Sequence, residues 1–340
     1  MQKLINKIIG KQDLTLEEMT ESMMALMSGE VDPVVAASFL TALKMKSESV
    51  DEIVAGARVM REKASTIAIN KPITMDTCGT GGDSSGTFNI STAVAIILAS
   101  EGVAVVKHGN RSVSSQCGCA DVLEELGVAI DITPEQVKQC VEAINIGFLF
   151  APTFHSAMRH VGPVRKTLGF RTIFNILGPL ANPANATYQL VGVFDENLLE
   201  VFAKVLNELG VKRAMVVHGD DGLDEISLST TTKVCELNHG IITHSTLCPE
   251  DFGMTRSPLQ TIKGGSKIEN AEILRSLFEG KTGPMRDVLL LNAGAALYTC
   301  EKAQSIQEGI AIAAQSLDEG KALQKLEEFI LLTQKLKRGE

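Results

Sequence analysis

The sequence predicts an α/β protein in which a small helical module is followed by a larger module with a mostly parallel central sheet. Residues 1–70 show only helical patterns, whereas short apolar strands alternate with helices from about residue 71 onward. Such alternation is typical of a parallel sheet flanked by helices, because each crossover between parallel strands needs a long connection. A glycine-rich run follows the first of these strands, at a position where folds of this class bind ligands.

Composition excludes several classes of protein. The chain has 340 residues, of which 44% are apolar and 21% charged, as in an ordinary globular protein of one or two domains. Its net charge of −9 disfavours nucleic-acid and membrane-surface binding, so an anionic ligand would need local cations or metal ions. The seven cysteines are an odd and scattered set, which we interpret as reduced thiols. No apolar run has the length of a membrane span and the first residues lack a signal peptide's apolar centre, so a cytoplasmic location is expected.

The helical module is predicted from its helix starts. Thr15–Glu18 and Ser49–Glu52 are capping boxes, and Asp32-Pro33 places a proline in the first turn of the helix between them. The second helix carries a methionine-rich face, which we interpret as core or as a subunit interface, because methionine packs adaptably. Apolar surface beyond what one module can bury makes oligomerisation plausible.

The second module is predicted from short apolar runs that alternate with helical patterns. The pattern breaks between Ala151 and Asn185, where the turn cluster Leu177–Pro183 indicates a crossing between modules. Four helices are expected at the carboxyl-terminal end. The predicted strands are Ile73–Asp76, Val103–Lys107, Val128–Asp131, Phe148–Phe150, Tyr188–Phe194 and Ala214–His218.

Two polar runs follow neighbouring strands and are candidates for an anion site. The first, Met75–Asp83, contains three glycines in four positions and leads into the buried helix that begins near Ser91. A glycine turn that feeds a helix start is typical of phosphate binding, although an ordinary tight turn has the same pattern. The second, Lys107–Ser115, offers two cations, an imidazole and three hydroxyls; the alternative is a solvated loop.

A third run supplies carboxylates. Asp220, Asp221, Asp224 and Glu225 follow the strand that ends at His218. Such oxygens suit Mg²⁺, which takes one or two carboxylates together with water and substrate phosphate. A solvated acidic turn is the alternative. The sequence contains no nucleophile elbow, no Lys-Ser/Thr ending of an ATPase loop and no Gly-x-Gly-x-x-Gly pattern.

Taken together, these motifs resemble anthranilate phosphoribosyltransferase, in order and through essentially the whole chain. The motifs that carry the resemblance are Asp76–Asp83, Lys107–Arg111, Val161–Gly169, Asn175–Leu180, Gly222–Glu225 and Leu291–Tyr298. The resemblance implies transfer of the phosphoribosyl group of 5-phosphoribosyl 1-diphosphate to the amino group of anthranilate in tryptophan biosynthesis. It also implies the fold of the pyrimidine nucleoside phosphorylases and a homodimer. The implied domains are residues 1–70 with about 160–187, helical and dimerising, and residues 71–160 with 188–340, which bind the donor.

The resemblance also implies roles for individual residues. Ser91, Asp224 and Glu225 would hold Mg²⁺, with two ions expected. His108 and His155 would position the substrates or transfer a proton. The implied anthranilate-binding residues are Gly79, Asn110, His155, Arg165, Gly178 and Pro179, with Arg165 on the carboxylate. The implied donor-binding residues are Gly79, Gly82, Asp83, Thr87, Asn89, Ile90, Ser91, Thr92, Lys107, His108, Gly109, Asn110, Arg111, Ser112, Val113, Ser114, Ser115 and Cys119.

The chain departs from the family pattern in two places, the run Ser115-Gln116-Cys117-Gly118-Cys119, where the family commonly has Ser-Lys-Ser-Gly-Ser, and Ser156. Gln116 and Cys119 stand where the family commonly has lysine and serine, so some phosphate affinity and a hydroxyl are lost. Ser156 stands where proline is usual. Two alternatives remain: a pyrimidine nucleoside phosphorylase of the same fold, and a non-catalytic paralogue that binds nucleic acid.

Overall fold

The computed structural model describes residues 1–83, 85–112 and 116–340. Four helices open the chain: Gln2–Ile9 (α1), Leu16–Ser28 (α2), Pro33–Lys46 (α3) and Val50–Glu62 (α4). The predicted caps are present, because the Thr15 and Ser49 hydroxyls each accept a hydrogen bond from the amide three residues on and the Asp32 carboxylate accepts from the Val34 amide. Such caps satisfy amides that a helix start leaves unpaired.

The central sheet has seven strands in the order β3-β2-β1-β4-β5-β6-β7. The first five in this order pair in parallel, and the last two are antiparallel. The chain leaves β1 towards β2 and β3 and later returns to β4 on the other side, so the strand order reverses between β1 and β4. The strands are Thr74–Gly79 (β1), Ala104–Gly109 (β2), Ile146–Phe150 (β3), Tyr188–Gly192 (β4), Arg213–Gly219 (β5), Thr232–Asn238 (β6) and Ile241–Leu247 (β7).

Helices cover both faces of the sheet. One face packs against α5, whose residues are nearly all buried, and against the carboxyl-terminal helices. The other face shares a core with α1 to α4, α9, α10 and α11. The remaining helices are Ile90–Ser100 (α5), Cys119–Leu126 (α6), Pro134–Ile144 (α7), Ala151–Phe154 (α8), Gly162–Leu168 (α9), Phe174–Leu177 (α10), Leu198–Glu208 (α11), Lys267–Phe278 (α12), Pro284–Thr299 (α13), Ile306–Asp318 (α14) and Lys321–Lys337 (α15).

One predicted strand is absent and one hairpin was not predicted. Residues Val128–Asp131 form no strand, because α15 rather than a neighbouring strand takes their backbone groups: the Ala129 amide donates to Thr333 Oγ1 at 3.1 Å. The hairpin of β6 and β7 turns at His239 and Gly240, both with positive φ, as in a two-residue hairpin turn. No helix in the described part of the chain is both long and apolar enough to cross a membrane.

Candidate active site

The glycine loop lies at the carboxyl ends of β1 and β4, where the strand order reverses. Its Thr80 amide donates to the Gly192 carbonyl at 2.9 Å, and the Phe194 amide donates to Thr80 Oγ1 at 3.0 Å. Gly81 and Gly82 follow with φ values of 67° and 74°, which favour glycine. Open α/β sheets bind their ligands at this kind of crevice.

The acidic loop after β5 packs directly on the glycine loop. The Gly81 amide donates to Asp224 Oδ2 at 2.7 Å. A Cβ atom on Gly79 would lie 2.5 Å from the same oxygen, and one on Gly192 would lie 1.5 Å from the Asp224 carbonyl oxygen. Only glycine at these two strand ends lets the carboxylates approach the loop so closely.

Asp224 and Glu225 form a pair of carboxylates in a poorly hydrated place. Burial and the Asp83 charge raise the pKa of Asp224 above its usual range, and burial and the Asp224 charge raise that of Glu225. Two neighbouring carboxylates that ionise at a cost are stabilised by a cation, so this donor set fits a divalent metal ion. Among the described residues, the buried Asp83 Oδ2 makes no hydrogen bond of ordinary geometry, and the Asp83 charge lies close enough to act on Asp224.

The other two acids of this loop have structural partners. Asp221 accepts hydrogen bonds from the Ser227 hydroxyl at 2.7 Å and from Ser229, and Asp220 accepts from Thr231. In the described ranges there is no group of three or more histidine, cysteine, aspartate or glutamate side chains with metal-site geometry. The candidate metal ligands are therefore Asp224, Glu225 and the nearby Ser91 hydroxyl, a set that leaves room for substrate oxygens.

Lys107 provides a buried positive charge between these loops. It is 3% exposed, and its Nζ donates to the Thr77 carbonyl at 2.6 Å and to Ser91 Oγ at 3.3 Å. Among the described residues no carboxylate lies within ion-pair distance of this ammonium group. The charge of Lys107 acts on the buried carboxyl groups of Asp76 and Glu225 without a direct ion pair, so an anionic ligand placed against this ammonium group would be stabilised further.

The start of α5 faces the same space. The Asn89 side chain contacts Cys117 rather than capping the helix, and the buried Thr92 hydroxyl has no hydrogen-bond partner among the described residues. Unpaired amides at a helix start attract anions. Ile90 points into the core, so only its backbone can face a ligand. Thr87 forms an isolated bridge with Lys263 at the edge of this space.

The run after β2 is held against α6. The Arg111 guanidinium binds Glu124 through both carboxylate oxygens, at 2.8 and 3.0 Å, and Asp121 at 3.0 Å, so it points towards the helix. The Ser112 amide donates to the Asp121 carboxylate at 3.0 Å. The predicted donor-binding residues Val113, Ser114 and Ser115 lie outside the described residues.

Cys119 lies directly beneath this run. Its thiol donates to the Asn110 carbonyl at 3.3 Å, and a Cβ atom on Gly109 would lie 2.2 Å from its sulfur. Burial raises the pKa of the Cys119 thiol, which keeps it neutral. In this structure Cys119 supports the backbone of the run. The exposed Gln116 adds no charge there.

Four of the six implied acceptor residues, His155, Arg165, Gly178 and Pro179, lie on the segment that crosses between the modules. Arg165 on α9 is half-buried with its guanidinium carbon 5.3 Å from the centre of the Phe174 ring. Burial lowers its pKa, and among the described residues it makes no ion pair. Gly178 and Pro179 present carbonyl oxygens to His108 Nδ1 at 3.2 Å and to Gln189 Nε2 at 2.7 Å.

His108 and His155 form a buried pair with ring centres 5.0 Å apart. Burial, together with the neighbouring ring, lowers the pKa of His108 to about 3, and burial lowers that of His155 to about 4. Neither ring nitrogen of His155 makes a hydrogen bond of ordinary geometry to a described residue. Both rings are therefore neutral at pH 7 and are weak proton acceptors.

Two residues at the site were not singled out from the sequence. Arg171 donates to the Gly82 carbonyl and stacks on Phe194. Asn292 on α13 binds both backbone groups of Ile226, directly after the carboxylate pair. A lone asparagine in the apolar run Val288–Leu297 was a visible signal for Asn292, whereas nothing in the sequence distinguishes Arg171 from other loop arginines.

Comparison with known proteins gives the family. The helical bundle domain of the glycosyl transferase family matches residues 2–64, and the a/b domain of that family matches residues 71–323. The chain is 55% identical over 337 residues to anthranilate phosphoribosyltransferase from Alkaliphilus metalliredigens, covering 99% of each protein. It is 53% identical over 329 residues to that from Petrotoga mobilis, covering 97% of this chain and 96% of the relative. The chain belongs to the anthranilate phosphoribosyltransferase family.

Solved structures of this family have the same fold. The Thermus thermophilus anthranilate phosphoribosyltransferase superposes with a TM-score of 0.92 at 45% identity, covering 97% of this chain and 99% of that one. The Saccharomyces cerevisiae enzyme in complex with PRPP and Mg superposes with a TM-score of 0.89 at 28% identity, covering 98% and 99%. The predicted family and the predicted fold class are therefore confirmed.

Proposed function

We propose that this chain transfers the phosphoribosyl group of 5-phosphoribosyl 1-diphosphate to the amino group of anthranilate and releases pyrophosphate, using the site described above. The observation that carries the proposal is the meeting of three features at the carboxyl edge of the sheet: the glycine loop, the buried Lys107 and the Asp224-Glu225 pair. The S. cerevisiae relatives in complex with PRPP and Mg and with 4-fluoroanthranilate support it.

The donor occupies the space between the glycine loop, the start of α5 and Lys107. Backbone amides of Gly79, Gly82 and Asp83, the Asn89 side-chain amide and the hydroxyls of Ser91 and Thr92 supply hydrogen-bond donors for phosphate oxygens. Thr87 and the run from His108 to Ser115 border the same space, although the Arg111 guanidinium is engaged by Glu124. Arg111 therefore contributes through its backbone in this arrangement.

Asp224, Glu225 and Ser91 would hold Mg²⁺, with room for two ions that share Glu225. Such ions would neutralise the charge that accumulates on the departing pyrophosphate. The raised pKa values of both carboxylates support this role, because a bound cation removes the cost of ionising them together.

Arg165 binds the anthranilate carboxylate, because its planar fork matches a carboxylate and no described acid competes for it. Gly79, Asn110, His155, Gly178 and Pro179 border the acceptor. The neutral aromatic amine needs no strong base, so His108 and His155 act mainly by shaping the pocket and orienting the amine. The site holds the amine of anthranilate in line with the bond between the anomeric carbon and pyrophosphate, and this positioning favours the breaking of that bond.

The helical residues 1–70 with about 160–187 form one domain of a homodimer, and residues 71–160 with 188–340 form the donor-binding domain. The packing of α9 and α10 against α1 to α4 supports grouping these helices, and the same core continues onto β4, β5 and α11 of the donor-binding domain. A subunit contact at this domain is supported by three exposed apolar side chains, Ile9 on α1 and Val34 and Met45 on α3. The cytoplasmic location stays a prediction.

The test uses the fluorescence of anthranilate. Purified protein with 5-phosphoribosyl 1-diphosphate and Mg²⁺ should remove that fluorescence, and removing the metal with a chelator should stop the loss. Persistent fluorescence under all donor and metal conditions would contradict the proposal. Phosphorolysis of thymidine would instead favour a nucleoside phosphorylase, and a salt-dependent shift of single-stranded DNA would favour a nucleic-acid-binding paralogue; the relatives support neither.

A further inference from the structure

Arg171 joins the crossing segment to the glycine loop. It lies between α9 and α10, and its Nη2 donates to the Gly82 carbonyl oxygen. Its guanidinium carbon lies 4.1 Å from the centre of the Phe194 ring, a distance typical of a cation–π contact. No acidic side chain in the described ranges pairs with Arg171, so its charge is directed at the loop rather than at a carboxylate.

Among the described residues, four hydrogen bonds hold the glycine loop in place, and they come from three different parts of the chain. Thr80 is bonded to the segment after β4, and the Gly81 amide is bonded to Asp224. The Gly82 carbonyl is bonded to Arg171 alone among the described residues. A Cβ atom on Gly82 would lie 2.3 Å from Arg171 Nη2, so glycine is required here for the approach as well as for the positive φ.

The positive charge of Arg171 would reduce the repulsion between the Gly82 carbonyl and a bound diphosphate. A backbone carbonyl beside a phosphate group presents its negative end and is repelled. A guanidinium that donates to this carbonyl draws the oxygen to one side and offsets its partial charge. Two consecutive positive-φ residues can then keep their amides directed towards an anion, as in other anion-binding loops.

We propose that Arg171 is a positioning residue for the diphosphate donor: by holding the Gly82 carbonyl, with Phe194 as its platform, it keeps the glycine loop in its anion-binding shape. This inference rests on the proposed function of the loop as donor site. It goes beyond that function because it assigns a role to the crossing segment, which otherwise faces the acceptor. Donor binding should therefore depend on a residue a few positions from the acceptor-binding Arg165.

The variants distinguish holding the carbonyl from simply adding charge. Arg171→Lys keeps the charge but loses the planar fork and its stacking, whereas Arg171→Gln keeps a donor and loses the charge. Arg171→Ala removes both. Phe194→Leu keeps an apolar side chain and removes only the aromatic platform, so it tests the same contact without altering the arginine.

The experiment measures donor and anthranilate KM, kcat, direct binding of the donor by calorimetry without anthranilate, and the melting temperature. Arg171→Ala should weaken donor binding about tenfold, the size expected for one charge-assisted hydrogen bond, with the anthranilate KM within about twofold of its original value. Arg171→Lys and Phe194→Leu should fall between the original protein and the alanine variant. Arg159→Ala, which removes an exposed arginine of the same segment, is the control and should change neither KM.

The outcomes separate this inference from the proposed function. Equal changes in both KM values, or a lower melting temperature with unchanged donor binding, would overturn the positioning role of Arg171. Full donor affinity in Arg171→Lys would show that charge alone is needed and would overturn the role of the fork and of Phe194. An original protein that binds the donor but never consumes anthranilate would overturn the proposed function while the donor-binding comparison still decides the role of Arg171.

Discussion

At the scale of single residues, Arg165 has a distinctive setting: it is half-buried, and among the described residues it makes no ion pair. Partial burial of an unpaired guanidinium costs free energy, and binding of an anion offsets that cost. A carboxylate ligand meets this need because both of its oxygens can accept from the planar fork.

Replacing Arg165 by alanine should therefore affect one substrate selectively. We expect the anthranilate KM to rise by about tenfold or more, because a charge-assisted pair is lost, while the donor KM changes little. Steady-state kinetics with each substrate varied in turn measures both. Lys166→Ala, at the exposed neighbouring position, should leave both constants unchanged, and equal effects on the two substrates in Arg165→Ala would remove this residue from the acceptor site.

The buried histidines make a prediction about stability. Unfolded, each imidazole takes up a proton as the pH falls through about 6.5, whereas in the folded protein His155 stays neutral down to about pH 4. The unfolded state therefore binds more protons between these values, and the free energy of unfolding falls as the pH drops, by at most about 1.4 kcal/mol per pH unit for each such group.

Replacing His155 by asparagine should reduce this pH dependence. Between pH 6.5 and pH 4.5 the variant should lose less of its free energy of unfolding than the original protein, because it has one buried imidazole fewer. Denaturant unfolding at several pH values within that range measures the slope. A variant with the same slope as the original protein would show that His155 is not held neutral by burial.

At the scale of elements, local signals were the reliable ones. The starts of α2, α3 and α4 were predicted because a cap is decided by side chains within three residues of each other. The strand predicted at Val128–Asp131 was wrong because its apolar residues are buried without a strand partner, and only the distant Thr333 decides that. The β6–β7 hairpin was missed although its alternating pattern and its glycine turn were visible.

Some features of the candidate site were likewise predictable from the sequence, and others were not. The glycine loop and the Asp224-Glu225 pair each follow a strand and Lys107 lies near the carboxyl end of β2, so their shared location at one sheet edge follows from the fold class. By contrast, Arg111 was predicted to bind the phosphoribosyl donor, but its guanidinium pairs with Glu124 and points towards α6. Arg171 and Asn292 form contacts between segments that are far apart in the sequence, and such contacts cannot be predicted from the spacing of residues alone.

Helix α13 supports the acidic loop through Asn292. This side chain is fully buried, accepts from the Ile226 amide at 2.9 Å and donates to the Ile226 and Val288 carbonyls at 2.9 Å each. All of its hydrogen-bonding groups are thus used, and they fix the backbone next to Glu225. Leaving those backbone groups unpaired costs about 1–3 kcal/mol each and frees the loop.

Asn292→Leu, which keeps the size of the side chain, should therefore both destabilise the protein and weaken its response to magnesium. We expect the Mg²⁺ concentration for half-maximal activity to rise several-fold, and calorimetric Mg²⁺ binding to weaken in parallel. Thr333→Val is the matched control, because Thr333 also binds a backbone amide, that of Ala129, but far from the acids. A similar loss of stability in both variants with an unchanged magnesium response in both would assign Asn292 a purely structural role.

At the scale of the whole molecule, seven large apolar side chains of the described residues are exposed, and three of them lie on α1 and α3. Among the described residues, Val34 is 73% and Met45 80% exposed, and both lie on α3. Ile9 on α1 is 67% exposed. A contact with another molecule would remove these open apolar side chains from water. The proposed homodimer would bury them and would leave the sheet edge with the active site free.

Charged residues on this surface should separate the subunits. Val34→Glu combined with Met45→Glu should convert a dimer into monomers, because each association would bury unpaired carboxylates. Sedimentation equilibrium at several protein concentrations measures the mass. Ile268→Glu and Leu331→Glu change exposed apolar residues of the other domain and should leave the dimer intact. An original protein that sediments as a monomer would exclude the homodimer. A dimer that is lost only in the control variants would place the subunit contact elsewhere. Monomeric Val34→Glu/Met45→Glu protein with normal anthranilate turnover would show that each subunit carries a complete site.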